Sequence, residues 1–258
     1  MVLPIGTSFL TLTRVTPHID MTSRVLVTLE LPDPETIPPA IIETFPSMDV
    51  VVLGHYSVPE QTPPSAARSQ FEEEAQSKLK EISRPLEDAG MSVKTRLVFS
   101  RDLNRTIDQV ATEEGCDVIL TTGQVESIDR LFVPLRGEEN FDRILSFARE
   151  LLSVNNASVT LFHTNEESDR RPGEELLGDA TDRLVEAGID PDRIDRKLAS
   201  EQDTGKSIIE IGSGYDVMIL GETEPSLRER IFGNVPAKVT SNTEDPAFVV
   251  RNPETEEP

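Results

Sequence analysis

Short apolar runs alternate along the chain with longer segments in which apolar residues recur every third or fourth position. The first pattern predicts buried strands, and the second predicts helices with one apolar side. The predicted strands are residues 24–30, 50–56, 92–99, 117–120, 130–136, 158–163, 192–198, 216–220 and 247–251. The predicted helices are residues 40–45, 66–89, 105–114, 138–153, 174–187, 206–212 and 225–241. This alternation of strand and helix predicts a parallel sheet with helices on both faces.

The order of these elements occurs twice, which predicts two copies of one folding unit. Arg24 and Arg130 begin the first strands of the two copies, and His55 and His163 fall at equivalent places in the second strands. The copies differ at their ends. Only residues 124–129 separate the fourth strand of the first copy from the second copy, so the first copy lacks a last helix and a fifth strand.

The repeat sets the predicted domain boundaries. Residues 22–127 form the first, truncated domain, and residues 128–252 form the second. Residues 1–21 are expected to be an N-terminal arm or a misassigned start, because the first clear strand follows them directly. Residues 253–258 are acidic and rich in proline, and we expect a disordered tail there.

Composition adds an unusual surface. The chain carries 47 Asp and Glu against 25 Lys and Arg, and its formal net charge is −22. Such a surface is typical of halophilic proteins, since molar salt reduces the screening length to about 3 Å and removes most self-repulsion. No basic stripe with interleaved aromatic residues is present, which argues against nucleic-acid binding.

The single cysteine, Cys116, excludes an intramolecular disulfide and any cysteine-rich metal site. No apolar run approaches 18 residues, and residues 1–20 lack a basic start followed by a long apolar segment. We therefore expect a cytoplasmic protein without membrane insertion.

Candidate chemistry is concentrated after the strand predicted at residues 216–220. Gly221 closes this strand, Glu224 follows, and Gly233-Asn234 comes after a further polar stretch. This arrangement resembles the last quarter of a universal stress protein domain of the UspA type, whose ATP-binding members carry Gly-x2-Gly-x9-Gly-Ser/Thr after this strand. Here Glu224 stands where the second glycine belongs, Gly233 comes one residue early, and Asn234 replaces the hydroxyl residue. By this resemblance, the loop is a degenerate triphosphate site.

The turn after residues 130–133 is the second part of the candidate site, and it comprises Pro134, Leu135, Arg136 and Gly137. Nucleotide-binding members of the family place an Asp here to accept hydrogen bonds from the nucleoside. Arg136 occupies that place, and an arginine has five donors and no acceptor. Arg136 and the amide of Gly137 would instead attract an anion. A purely connecting turn is the alternative reading. The first copy has Glu30-Leu31-Pro32 at this place, without the glycine.

Catalytic and metal chemistry find little support in the residue pattern. His55 and His163 have no Ser-His-Asp or Cys-His arrangement around them, so hydrogen bonding to the backbone is the simpler interpretation. Residues 204–207, Thr-Gly-Lys-Ser, imitate the end of a P-loop, but Ser200 stands where its first glycine would be. No cluster of His, Cys and carboxylates has metal-ligand spacing.

Taken together, the chain resembles two tandem universal stress protein domains of the type found in halophilic archaea. The implied fold is Rossmann-like, of the adenine nucleotide alpha hydrolase kind. The implied function is a non-enzymatic, cytosolic regulatory or protective module that requires no cofactor. Two alternatives remain at this point: a sensor that binds ATP or AMP in the second domain, and an accessory subunit that docks on a membrane transporter.

Assembly is the last expectation from the sequence. Family members commonly pair their fifth strands in dimers, and only the second copy has one, Ala247 to Arg251. An apolar edge strand recruits another chain through its bare amides and carbonyls. We therefore expect a homodimer about a two-fold axis at this strand, with the alternative that the first copy covers the edge and the molecule is a monomer.

Overall fold

The computed structural model describes residues 23–45, 48–121, 123–138, 140–165, 171–199, 208, 211–222 and 246–252. Its strands are β1 (Arg24–Leu31), β2 (Asp49–Ser57), β3 (Ser92–Ser100), β4 (Val118–Thr121), β5 (Arg130–Pro134), β6 (Ser158–Thr164), β7 (Ile194–Ala199), β8 (Val217–Gly221) and β9 (Ala247–Val250). Its helices are α1 (Pro39–Thr44), α2 (Pro64–Asp88), α3 (Leu103–Glu114), α4 (Phe141–Val154) and α5 (Gly173–Glu186). The predicted helix at 225–241, most of that at 206–212, the arm at 1–21 and the tail at 253–258 lie outside the described residues.

All nine strands form one sheet in the order β3-β2-β1-β4-β9-β8-β5-β6-β7. The first half, β1 to β4, is parallel within itself, and so is the second half, β5 to β9. The two halves run in opposite directions, because β4 pairs with β9 antiparallel. The predicted α/β class with a parallel sheet is confirmed, while the antiparallel joint was not anticipated.

The fifth strand of the second half has no free edge. Ala247 to Val250 pair with β4 on one side, with Val118 opposite Val250, and with β8 on the other, with Met218 opposite Ala247. The premise of an exposed dimer edge at Ala247 to Arg251 is therefore wrong. The first half lacks its own fifth strand, so the unpaired side of β4 is available to cover β9 within the same chain.

The sheet is covered on one face by α1, α2, α4 and α5, whose apolar residues join in a core that runs across both halves. Phe248 of β9 lies at the centre of this core and is fully buried. Its ring contacts Phe45 of the first half at a centroid distance of 5.9 Å and Phe147 of the second half at 5.0 Å. On the other face α3 packs on the first half, around Ile107 and Val110. The shared core makes the two halves one packed body.

A polar contact also joins the halves at the start of the described chain. The backbone amide and the hydroxyl of Ser23 donate hydrogen bonds to the carboxylate of Glu150 on α4, at 3.2 and 3.1 Å. Burial raises the pKa of Glu150. In the described part of the chain, no helix is long and apolar enough to cross a membrane.

Candidate functional site

The carboxyl ends of β5 and β8 lie side by side at one edge of the second half, because these strands are paired through Leu131 with Val217 and Phe132 with Met218. From β5 the chain passes to β6 on one side, and it later returns to β8 on the other. Open parallel sheets bind ligands where the strand order reverses in this way. The turn after β5 and the end of β8 at Gly221 therefore meet at this edge.

The structure brings together five of the seven residues that the sequence indicated: Pro134, Leu135, Arg136, Gly137 and Gly221. The other two, Gly233 and Asn234, lie outside the described residues. Hydrogen bonds hold the turn after β5 in place. The amide of Leu135 donates to the carbonyl of Phe162 at 2.7 Å, and Nδ1 of His163 lies 2.7 Å from the carbonyl of Leu135. Because a carbonyl only accepts, His163 carries its proton on Nδ1 here.

Beyond this point the backbone turns into α4. Arg136 is exposed, and Gly137 has a φ of 109°, a conformation that residues with a side chain rarely adopt. Asn140 precedes the first residue of α4 with a φ of 59°, and its Nδ2 donates to the carbonyl of Val250 at 2.7 Å. The turn thus presents one arginine and the amino end of a helix to solvent, next to the end of β9.

A buried carboxylate follows β8 directly. The side chain of Glu222 is 8% exposed, and its Oε2 accepts a hydrogen bond from the amide of Asn252 at 2.8 Å. Its Oε1 lies 3.7 Å from Nε of Arg251, whose side chain is 5% exposed. The amide of Glu222 donates to the carbonyl of Val250 at 2.9 Å. A negative charge is therefore fixed at the place where a phosphate-binding loop would begin.

The same arginine joins this edge to the first half. Arg251 donates from Nη1 to the carbonyl of Cys116 at 3.3 Å and from Nη2 to the hydroxyl of Thr112 at 3.1 Å. Its own amide donates to the carbonyl of Asp117 at 2.8 Å. Sequence reasoning missed Glu222 and Arg251. An acidic residue directly after Gly221 was a visible signal for the first, whereas no local pattern marked the second.

Charged groups of both signs lie at this edge. Phosphates bind where amides and cations converge, and like charges repel strongly in a site of low solvent access. The carboxylate of Glu222 lies directly after Gly221. It contacts the guanidinium of Arg251 and accepts a hydrogen bond from the amide of Asn252. Within the described residues, the exposed Arg136 and the amino end of α4 also lie at this edge.

At the corresponding edge of the first half, β4 lies next to β9. Strand β4 ends at Thr121. The hydroxyl of Thr121 donates to the carbonyl of Ala247 at 3.1 Å and accepts from the amide of Ala247 at 3.1 Å. The turn after β1 is tied down by Lys78, whose ammonium donates to the carbonyl of Pro32 at 2.7 Å. The start of β9 thus lies beside the end of β4.

The two histidines are not equivalent, contrary to the sequence-based expectation. When Arg24 is aligned with Arg130, their partners Asp49 and Ser158 are also aligned, and His55 then corresponds to Thr164, one position beyond His163. A shift by one residue turns a side chain to the opposite face of a strand. His55 accordingly faces the side of α3, whereas His163 faces α5, where it lies next to Gly173.

His55 belongs to a hydrogen-bonded chain rather than a catalytic pair. The hydroxyl of Thr106 donates to the carbonyl of Asp102 at 2.6 Å, so its oxygen accepts from Ser100 at 2.7 Å. Ser100 has then used its only proton, and Nε2 of His55, at 2.8 Å, must be the donor to it. A histidine that donates to the serine oxygen cannot remove a proton from it, which argues against a nucleophilic serine.

Burial lowers the pKa of His55, and its buried Nδ1 has no hydrogen-bond partner. A second proton on this ring would be placed on Nδ1 without an acceptor, so the fold favours the neutral ring. Cys116 is buried as well, and desolvation raises the pKa of its thiol to about 11. His163, through the carbonyl of Leu135, has the backbone contact expected from the sequence, whereas His55 bonds a side-chain hydroxyl instead.

Two further predictions concern other chemistry. The P-loop-like residues 204–207 lie outside the described residues. Among the residues that the structure describes, no group of His, Cys, Asp and Glu is arranged to hold a metal ion.

The chain is similar to known proteins in its fold. No protein-family model and no curated protein sequence matches the chain. The structure is similar to that of a universal stress protein from Archaeoglobus fulgidus DSM 4304, with 13% sequence identity and a TM-score of 0.59 over 88% of this chain and 96% of that chain. The chain thus has the α/β fold of a universal stress protein.

Two other solved structures match at lower TM-scores. A universal stress protein in complex with cAMP matches at 20% identity and a TM-score of 0.36, over 48% of this chain and 97% of that chain. The cytoplasmic domain of a prokaryotic cation chloride cotransporter matches at 10% identity and a TM-score of 0.47, over 89% of this chain and 95% of that chain. Neither score supports a conclusion about this protein beyond its general fold.

Proposed function

We propose that this protein is a cytosolic regulatory or protective module of the universal stress protein type, and that it performs no catalysis. In this proposal residues 22–127 and 128–252 are two copies of one domain. The second copy has a degenerate nucleotide site, and the first has none. The similar fold and the sequence resemblance support the type of protein, while the chemistry of the ligand edge supports the loss of nucleotide binding.

The observation that carries the proposal is the buried carboxylate of Glu222. It lies directly after Gly221 and is held by the amide of Asn252 and the guanidinium of Arg251. A triphosphate would bring further negative charge against it, and a carboxylate with little solvent access cannot be screened effectively. Because Arg136 replaces the nucleoside-binding Asp of the family, the site also lacks that acceptor for the nucleoside.

The first half supports the same proposal. Ala247 is hydrogen-bonded to Thr121 at the end of β4, so β9 fills the position beside β4 where the first half lacks a fifth strand. In β1 the exposed Glu30 stands at the place that Arg136 takes in the second half. An acidic residue at this place disfavours an anion.

The test is a search for bound nucleotide followed by a titration. Protein purified in molar potassium chloride is denatured, and the extract is chromatographed for adenine nucleotides. We expect no stoichiometric nucleotide. Titration calorimetry should give an ATP dissociation constant no tighter than about 0.1 mM, since each lost charge-assisted hydrogen bond is worth roughly 1.5–3 kcal/mol. A stoichiometric nucleotide or micromolar affinity would refute the proposal.

The second candidate is a sensor that holds ATP or AMP in the second half. The exposure of Arg136, beside the left-handed Gly137 and the amino end of α4, favours it, since these groups suit an anion. In this case Arg136→Ala should weaken a measured ATP affinity at least about tenfold, which corresponds to roughly 1.4 kcal/mol. An unchanged affinity would show that the arginine makes no phosphate contact and that the turn only connects β5 to α4.

A further inference from the structure

The two outer strands of the sheet are β3 and β7, and they differ in whether their charged side chains form ion pairs. Outer strands expose backbone amides and carbonyls, and proteins commonly protect them with charged side chains. On β3, Lys94 pairs with Glu114 of α3 at 2.6 Å, and Arg96 pairs with Glu113 at 2.8 Å. The cations of this outer strand are therefore neutralised within the chain.

Strand β7 carries charged side chains without an ion-pair partner among the described residues. Asp195, Arg196 and Lys197 are all exposed, and within the described residues they form no ion pair. Leu198, next to them, is 39% exposed and is among the few large apolar side chains that the described part of the chain leaves in solvent. A strand with both charge signs and an exposed leucine is suited to a partner of the same mixed character.

The hydrogen bonds of β7 show which backbone groups are free to pair. The amide of Asn165, just beyond β6, donates to the carbonyl of Ala199 at 3.3 Å, so Ala199 directs its backbone groups toward β6. Backbone direction alternates along a strand, and the amides and carbonyls of Ile194, Arg196 and Leu198 consequently point away from the sheet. These groups form the open side of β7.

We infer that β7 pairs antiparallel with β7 of a second copy of this chain, about a two-fold axis at Arg196. The two Arg196 residues then exchange backbone hydrogen bonds, and Ile194 lies opposite Leu198 of the second copy. Asp195 lies opposite Lys197 of the second copy, and this occurs twice. Those two pairs take the non-hydrogen-bonded positions, where Cα atoms are only about 4.5 Å apart and side chains interact most closely.

The two symmetric registers centred on the neighbouring charged residues, Asp195 and Lys197, fit less well. An axis at Asp195 places two aspartates opposite each other and Arg193 opposite Lys197, and an axis at Lys197 places two lysines together. Like charges directly opposite each other are destabilising. In the register at Arg196 the only like-charged contact is between the two arginines, which are exposed and long enough to diverge in solvent. The alternation of Asp195 and Lys197 thus selects a second copy rather than a purely acidic or basic partner.

Charge reversal tests the inference with the full-length chain. Light scattering at the lowest potassium chloride concentration at which circular dichroism shows the natural sequence folded, where charges are least screened, should show a concentration-dependent dimer. Asp195→Lys and Lys197→Glu should each raise the dimer dissociation constant about tenfold, or roughly 1.4 kcal/mol, and the double variant should restore it. Lys80→Glu makes the same charge change on an exposed position of α2 and should leave the dimer unchanged.

A backbone variant gives a second, independent measurement. Arg196→Pro removes an outward amide, which β6 does not use, and should abolish the dimer while circular dichroism confirms the fold. A monomer at all concentrations for the natural sequence would refute the inference, as would single reversals that behave like Lys80→Glu. A dimer that survives Arg196→Pro would place the interface elsewhere. These outcomes are independent of nucleotide binding, so they leave the proposed function untouched.

Discussion

Glu222 is an acidic residue at a position where a phosphate-binding loop uses backbone donors. Its carboxylate is buried and held by Asn252 and Arg251, so its charge acts at short range on anything beyond Gly221. A glutamine at this position would retain much of the shape and the acceptor oxygen while removing the negative charge. The effect of the charge can therefore be separated from that of the shape.

We expect Glu222→Gln to tighten ATP binding relative to the natural sequence, because the like-charge repulsion is removed. Glu126→Gln removes the same charge from an exposed position and should leave the affinity unchanged. Titration calorimetry measures both, and circular dichroism checks that the variant, in which Arg251 no longer faces the carboxylate of Glu222, still folds. Equal ATP affinities for the folded Glu222→Gln variant and the natural protein would show that Glu222 does not exclude the ligand.

Cys116 should be chemically inert in the folded protein. Its thiol is buried, and desolvation raises its pKa to about 11, so almost none of it is thiolate at pH 8. We expect no reaction with a disulfide reagent under native conditions and complete reaction after unfolding. Rapid modification of the native protein at pH 8 would contradict the buried placement.

At the scale of elements, α5 contains two glycines in opposite environments. A methyl group on Gly173, at the start of the helix, would collide with His163 and lie 2.5 Å from Oδ1 of Asn165. A methyl group on Gly178, within the same helix, would meet nothing within 4 Å. The same substitution should therefore have opposite effects at the two positions.

We expect Gly173→Ala to lower the free energy of unfolding by about 1–3 kcal/mol, the usual cost of overpacking. Gly178→Ala should raise it by about 0.5–1 kcal/mol, because alanine is the better helix former. Denaturant melts of both variants measure the difference. Equal effects of the two substitutions would show that α5 does not approach β6 at Gly173 as described.

At the scale of the whole molecule, β9 serves both halves, and Phe248 packs between Phe45 and Phe147. Phe248→Ala should cost about 3–5 kcal/mol and destabilise both halves in a single transition. Val154→Ala, at a side chain that is 45% exposed, should cost far less. Two separate melting transitions in the Phe248 variant would show that the halves fold independently.

The position of β9 also changes an expectation from the sequence. At an exposed edge, Val249→Pro would only remove a pairing amide, but Val249 lies opposite Ile119 on one side and Leu220 on the other. A proline in a central strand removes a ladder hydrogen bond and is poorly tolerated. The substitution should therefore unfold the protein.

The net charge of −22 governs the response of the whole molecule to salt. Compact folding brings these charges closer together than in the unfolded chain, and molar salt shortens the screening length to about 3 Å. We expect the melting temperature to rise steeply from low salt to molar potassium chloride. A melting temperature that stays constant across this range would argue against a halophilic surface.

The sequence by itself determined those features that depend on local patterns. Apolar runs and helical spacing placed each described strand and helix within a few residues, and the alternation of the two predicted the α/β class. Counting charges was sufficient for the acidic surface. The turn at Arg136 and the strand end at Gly221 were also found in this way, because residues that follow successive parallel strands must share one edge.

Only the tertiary structure decided what lies beside these local features. Strand β9 joins β4 antiparallel because β4 lacks a neighbour on that side. The apolar run at residues 247–250 would look the same in an edge strand and in a central one. His55 and His163 face opposite sides because the strand pairing aligns Asp49 with Ser158, which leaves the two histidines one position apart. Arg251 reaches Cys116 from 135 residues away in the sequence. Burial and pairing arise between segments far apart in the chain, so no single segment contains them.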